Sequence, residues 1–399
     1  MSLAFYEKNK VPKDWKLSRL KYIFRFSEET NLQFQNEKNL ALTKTGILEK
    51  NISSNEGQIA KDYEKYIFIK KGQICMNPMD LLSGWVDISP FNGLISPAYY
   101  TLIPKENFDE KFLNYFLQSN YYRETFFTLG KGVASHDNYG RWVLTPEEFK
   151  NIFIYYPSIS EQKKISSFLS KKTSNIDSII KKTQQKISLN KEKILKIFED
   201  ILLNQNIKKT RIKYLVKLIE RPIKREPNKT YTKIGMYNWG KGIFKYQSQN
   251  GSELGDSSFN YLKEGDLLLS GQFSWEGAVL IVEAEHNNCI SSHRFHILNS
   301  EKSKVLNEYL WTYFTTQEGH FYLNENSKGS AGRNRPLNID NLLKEKIPVP
   351  EMSKQKEIKN LVIENKNYEK LAKKKIEILK EYRKSLISYL ITGRVTVPE

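Results

Sequence analysis

Cysteine is scarce and long apolar runs are missing. Only Cys75 and Cys289 occur among 399 residues. Two isolated thiols cannot make a four-ligand zinc cage, and a structural disulfide is not expected in a reducing cell. Both sit in apolar surroundings and read as small core residues. No stretch approaches the run of about 20 apolar residues that crosses a bilayer, which argues against a membrane protein. Residues 1–10 lack the apolar centre of a secretory signal, so the expected compartment is the cytoplasm. Acidic residues are also in short supply: 45 Asp and Glu stand against 63 Lys and Arg, a net charge of +18. Such a surplus seeks a polyanion, nucleic acid before an anionic membrane surface. The plain alternative is a solvated basic surface with no partner.

Catalytic signatures are missing too. Gly235-Met-Tyr-Asn-Trp-Gly240-Lys241-Gly242 approaches a phosphate loop, but ends in Gly where the hydroxyl that holds magnesium should stand. It reads as a surface turn. Asn77-Pro78-Met79-Asp80 faintly resembles an amino-methyltransferase motif. It lacks the aromatic fourth residue that would stack on a flipped base, so it also reads as a turn. No proline is followed by Asp, and no G-x-S-x-G elbow occurs. His293 and His296 lie close together with no Cys or carboxylate to complete a ligand set, and an alternating strand would put them on opposite faces. No catalytic residue, metal site or bound cofactor is expected in this chain.

What is present is a repeat. Pro157-Ser-Ile-Ser160-Glu-Gln162-Lys163-Lys-Ile165 returns as Pro350-Glu-Met-Ser353-Lys-Gln355-Lys356-Glu-Ile358, 193 residues later. Arg19-Leu-Lys21-Tyr22-Ile23 pairs with Arg211-Ile-Lys213-Tyr214-Leu215. Lys71-Gly72 pairs with Glu264-Gly265, Ile95-Ser96 with Ile290-Ser291, Tyr115-Phe116 with Tyr313-Phe314, and Gly132-Val-Ala134 with Gly329-Ser-Ala331. The pairs are collinear, which implies a duplicated unit: a globular domain of about 150 residues followed by a helix. The expected boundaries are 1–157, 158–206, 207–350 and 351–399.

The globular parts read as mixed α/β, with β-branched and aromatic runs at residues 65–69, 98–103 and 278–282 between turn residues. Short helices are expected at 110–121 and 306–315. The long helices carry a clearer signal. Ile176, Ile180, Thr183, Ile187, Asn190, Ile194, Ile197 and Ile201 alternate in steps of 4 and 3, a coiled-coil seam. The second helix offers Ala372, Ile376, Leu379, Leu386 and Leu390, with Leu371, Tyr368 and Ile378 beside that line and Arg383 interrupting it. The expected fold is α+β: two mixed α/β domains joined by two long helices pairing as an antiparallel coiled coil. The alternative is each helix packing on its own domain. A helix over residues 160–203 would span about 66 Å, against about 34 Å for a turn of DNA.

Two loops at equivalent places combine glycine, which allows close backbone approach, with side chains that suit bases and phosphates. One carries Lys131, Ser135, His136, Asn138, Tyr139 and Arg141. The other carries Lys328, Ser330, Arg333, Asn334 and Arg335. Arg forks to guanine and Asn to adenine, while Lys and Ser suit phosphate oxygens. A weaker candidate is Gln272, Ser274 and Trp275, whose counterpart lies at 77–85. Mobile surface loops are the alternative for all three.

The opening Pro12-Lys13-Asp14-Trp15, the doubled Pro-x-x-Ser-x-Gln-Lys-x-Ile, and the closing Leu386-Ile-Ser-Tyr-Leu-Ile-Thr392-Gly393 together resemble the specificity subunit of type I restriction-modification systems over nearly the whole length. The resemblance implies two target recognition domains, each reading one half of a split, asymmetric sequence in double-stranded DNA, with paired helices setting the gap. It implies two modification subunits that supply S-adenosylmethionine and adenine methylation. It also implies restriction subunits that add ATP-driven translocation and magnesium-dependent cleavage, leaving this chain without a catalytic role. The Trp of the opening block has no counterpart in the second half. Two rival readings are a stand-alone DNA methyltransferase or nuclease with unrecognised motifs, and a coiled-coil interaction protein.

Overall fold

A computed structural model of the chain describes residues 11–31, 38–43, 46–50, 63–79, 86–133, 141–203, 207–238, 240–329 and 335–398. The chain divides into two compact units, Met1–Lys182 with Lys374–Glu399, and Thr183–Lys373. The helices are α1 (Glu110–Gln118), α2 (Asn120–Leu129), α3 (Pro146–Asn151), α4 (Ile159–Leu203), α5 (Asn307–Thr315), α6 (Gln317–Glu325), α7 (Ile339–Leu342) and α8 (Met352–Ile391). Each unit contains part of α4 and part of α8.

The first unit is built on a four-stranded antiparallel sheet in the order Phe24–Phe26, Tyr100–Pro104, Ile74–Met76, Val86–Ile88. The second repeats it as Val216–Leu218, Phe295–Ser300, Leu267–Ser270, Val279–Ile281. Registers match as well: Ile74 faces Leu102 as Leu267 faces Leu298. Smaller two-stranded ladders also recur, with Lys16–Arg19 on Phe153–Tyr156 and Lys209–Arg211 on Lys346–Pro348. Both faces of the central strands are apolar, as at Leu267, Leu268 and Leu269, all fully buried.

The single helices expected at 110–121 and 306–315 are each one half of a helical pair. Ser119 ends α1 with extended ψ, and its hydroxyl accepts from the Tyr122 N–H to start α2. Thr316 does the same between α5 and α6, accepting from Gly319 N. A residue that caps the next helix while leaving the last breaks the run without a glycine or proline to announce it.

The doubled Pro-x-x-Ser-x-Gln motif has a local cause. Gln162 Nε2 donates to Pro157 O (3.0 Å), and Gln162 Oε1 accepts from Asp109 N at the start of α1 (3.0 Å). Gln355 Nε2 donates to Pro350 O (2.8 Å) and Lys304 O, and its Oε1 accepts from Leu306 N (2.9 Å) at the start of α5. Each carboxamide ties the beginning of a long helix to the beginning of a short one. Both glutamines are 1% exposed, where every polar atom needs a partner.

Within the first unit α4 and α8 run antiparallel. Asp177 meets Arg383 (3.2 Å), and Ile165 and Leu169 share a core with Ile387, Leu390 and Ile391. The second unit shows the same sense, with Lys191 on Glu369 (3.1 Å) and Phe198 and Ile201 in one core with Ile358 and Val362. Ile176 and Ile201 are buried, while Ile180, Ile187, Asn190, Ile194 and Ile197 are half-buried. On α8, Ile376 and Leu390 are buried and Leu379 and Leu386 half-buried. Leu371, beside that line, is corrected as an interface residue: it stands 69% exposed, while Ala372 on the line is buried.

The opening and closing blocks also meet. Trp15 packs edge-on against Phe112, and Gly393, at φ +70°, lies so close to Pro12 and Trp15 that a Cβ there would collide with the proline ring. Cys75 and Cys289 are free and buried, and burial pushes the Cys75 thiol well up. The phosphate-loop-like segment contributes to an antiparallel hairpin, Ile234–Tyr237 with Gly242–Lys245. No helix is long and apolar enough to cross a membrane among the described residues.

Candidate nucleic-acid interface

In the second unit, strand Leu267–Ser270 ends in a tight turn. Ser270 Oγ accepts from Phe273 N (3.1 Å), and the Trp275 indole N–H donates to Gln272 O (3.1 Å). Leu337 N donates to Gly271 O (2.8 Å), which brings the chain leaving the 328–335 loop onto this turn. Two candidate segments some 60 residues apart in sequence are thereby one structural site.

Arg335 fastens the junction. Its guanidinium lies over the Trp275 ring (4.8 Å to the centroid), while Nε donates to Ser327 O (3.0 Å) and Nη2 to Asn324 Oδ1 (2.9 Å). This corrects its reading as a free base-reading fork, since the Nε hydrogen and one Nη2 hydrogen are engaged inside the protein. Ser274 is corrected likewise. It is fully buried, and its hydroxyl donates to Ser270 O. Lys328 keeps its ammonium in solvent, 78% exposed and 3.8 Å from Glu325. Gln272 is half-buried and accepts from Arg294 Nη1 at 3.5 Å.

Arg294 was not singled out in the sequence. It reaches the site through the sheet register: Ser270 pairs with Phe295, and Gly271 N donates to Arg294 O (2.6 Å). Gly271 has no room for a Cβ, which would lie 2.5 Å from that carbonyl oxygen. The signal that could have located it is this close approach at a glycine next to a turn. His296, two residues on, is half-buried, and burial holds its imidazole below its usual range against the opposing pull of Asp340.

The first unit repeats the junction. Leu144 N donates to Pro78 O (3.1 Å), each atom 193 residues before its counterpart. Asn77 is buried and its Oδ1 accepts from Met79 N, which closes a turn. Lys131 pairs with Glu148 (3.0 Å) at the foot of α3. Partial desolvation raises the Glu148 carboxyl, but bonds from Lys131 and Thr145 outweigh it and leave the group below its usual range. Arg141 sits in a ladder opposite Val133. Ser135, His136, Asn138, Tyr139, Ser330, Arg333 and Asn334 lie outside the described residues.

Chemically, these edges offer lysine ammoniums, a guanidinium and a carboxamide, the groups that meet phosphates and base edges. Among the described residues, no cluster of His, Cys, Asp and Glu could hold a metal ion.

Comparison with known proteins places the fold. A family model described as "Type I restriction modification DNA specificity domain" matches twice, at residues 12–189 and 204–380. No curated protein sequence matches. Among solved structures, a chain from a work on complex assembly and conformational transition of a type I R-M system is 12% identical, covering 97% of this chain and 100% of that one, with a TM-score of 0.63. The S subunit of a type I restriction-modification system from M. genitalium is 13% identical, covering 96% of each chain, with a TM-score of 0.51.

Proposed function

The chain belongs to the family of type I restriction modification DNA specificity domains, and from that premise we propose that it reads a split, asymmetric DNA target, one half with each unit, and so directs adenine methylation or restriction by partner subunits. The observation that carries this reading is the duplicated junction. The same backbone bond joins Leu144 to Pro78 and Leu337 to Gly271, while the side chains presented differ, Met79 in one unit and Gln272 in the other. A shared frame with different edges suits two different half-sites.

In this reading, two modification subunits supply S-adenosylmethionine and the methyl transfer, and restriction subunits supply ATP- and magnesium-dependent translocation and cleavage. This chain contributes recognition and the paired helices along which the partners assemble. The likeness to a chain from a type I R-M assembly supports such partners. The +18 charge supports a polyanionic ligand.

The test is methylome sequencing of cells that express the cognate modification subunit with and without this chain. Two short blocks around a fixed gap, methylated at adenine only when the chain is present, are the expected result. A motif that persists without the chain, or none with it, overturns the reading. Methyl transfer by the purified chain alone with S-adenosylmethionine would instead make it an enzyme.

A further inference from the structure

We propose that Arg294, which borders Gln272, is a specificity-determining residue of the second unit that reads a guanine edge in one half-site. The proposal rests on the DNA-reading function argued above and adds to it a residue that sequence pattern did not reveal.

Three observations carry it. The first is availability. Arg335, on the same junction, spends its guanidinium on Trp275, Ser327 and Asn324. Arg294 is exposed, and among the described residues its one side-chain bond is to the neutral Gln272 Oε1 at 3.5 Å. An arginine oriented by a carboxamide keeps its full charge and most of its five donors for a ligand. The second is anchoring. The backbone at Arg294 is pinned by the 2.6 Å bond from Gly271 N and by the strand that begins at Phe295. Gly271 is bare where a side chain would force Arg294 away. A base-reading group needs such a rigid root, because hydrogen bonds to a base edge are strict in geometry.

The third is the comparison that the duplication provides. Leu267 faces Leu298 as Ile74 faces Leu102. By that register, Arg294 corresponds to Ala98, and by the 193-residue offset Gln272 corresponds to Met79. The polar pair of the second unit is thus replaced by an apolar pair in the first. A pair needed to hold the frame would be expected in both units. One that varies as a pair while the frame persists has the character of a reading element. Arginine donating its fork to guanine O6 and N7 is the commonest base-specific contact.

The test compares wild type, Arg294→Ala, Arg294→Lys and Gln272→Met, each co-expressed with the modification subunit, by methylome sequencing. Co-purification with that subunit and an unchanged unfolding midpoint serve as controls for folding. Both Arg294 variants should relax one guanine position in one block of the motif, with discrimination there falling about 5- to 100-fold, and leave the other block intact. Arg294→Lys, which keeps the charge without the fork, should relax that position as Ala does. Gln272→Met should weaken discrimination at the same position by less. A motif unchanged in all variants overturns the proposal, as does a uniform loss across both blocks, which would make Arg294 a phosphate contact or a packing residue. Absence of any chain-dependent motif with wild type would instead overturn the DNA-reading function itself.

Discussion

Gln162 and Gln355 occupy the same place in the two units, and their roles can be separated by chemistry. Gln355, itself buried, donates to two carbonyls and accepts from Leu306 N. Leucine there fills a similar volume and leaves those groups unpaired. Gln355→Leu should therefore cost about 2–4 kcal/mol, read as a lower urea midpoint. A change below about 0.5 kcal/mol would show that the carboxamide is not what holds the two helix starts together. Arg335 admits a different test. Lysine keeps its charge but cannot stack flat on Trp275 while bonding both Ser327 and Asn324. Arg335→Lys should speed hydrogen exchange in the peptide spanning residues 324–337 even without DNA. Unaltered exchange with a changed base preference would restore Arg335 to the DNA. The sequence showed the type of residue at this site but not its use. Arginine beside Asn and Gly suits a base contact equally well as a clamp, and the deciding partner, Trp275, lies 60 positions away. Arg294 was invisible for a related reason, since only the pairing of Ser270 with Phe295 brings it near Gln272.

The long helices show where periodicity is informative and where it stops. The 4-3 alternation in α4 locates the less exposed line from Ile176 to Ile201 because a helix has one repeat and one neighbour to satisfy. In α8 the line runs through the small Ala372, while Leu371 and Ile378 beside it stand in solvent, so apolar character alone does not mark the buried face. Capping breaks such as Ser119 and Thr316 carry no periodic signal, which explains why α2 and α6 escaped notice. The helix pair also makes a pH prediction. Glu369 bridges Lys373 on its own helix (2.8 Å) and Lys191 on α4 (3.1 Å). Partial burial raises its carboxyl, but the two lysines outweigh that and leave it below its ordinary value of 4.5. A carboxyl lowered on folding adds stability that is complete above its unfolded value and fades as pH falls through the folded one. Glu369→Gln should therefore reduce the unfolding free energy at pH 7 by about 0.2–1 kcal/mol for a partly solvated pair. The two proteins should converge in acid below that value. An equal gap at both pH values would remove the ion pairs from the explanation.

For the whole molecule, the duplication was the most legible feature, for a physical reason. The positions that recur at an offset near 193 residues are those where the frame has few alternatives: the helix-starting proline, the buried Gln162 and Gln355, and the turn glycines Gly72 and Gly265 at positive φ. The proposed reading positions are free of that constraint, and at Met79 and Gln272 they differ between the units. The same division separates two kinds of DNA affinity. The +18 charge acts on any duplex, whereas base-edge contacts act on one sequence. Phosphate contacts release counterions, so binding to random DNA should fall about 1,000- to 100,000-fold between 50 and 200 mM salt if about 6–10 phosphates are engaged. Base contacts release few, so the ratio of target to random affinity should hold or rise over the same range. Fluorescence anisotropy of the complex with the modification subunit, on target and scrambled duplexes, measures both. If target and random DNA bind equally tightly throughout that range, the charge surplus alone accounts for binding. If random DNA shows no salt dependence, the charge serves some purpose other than contact with the phosphate backbone.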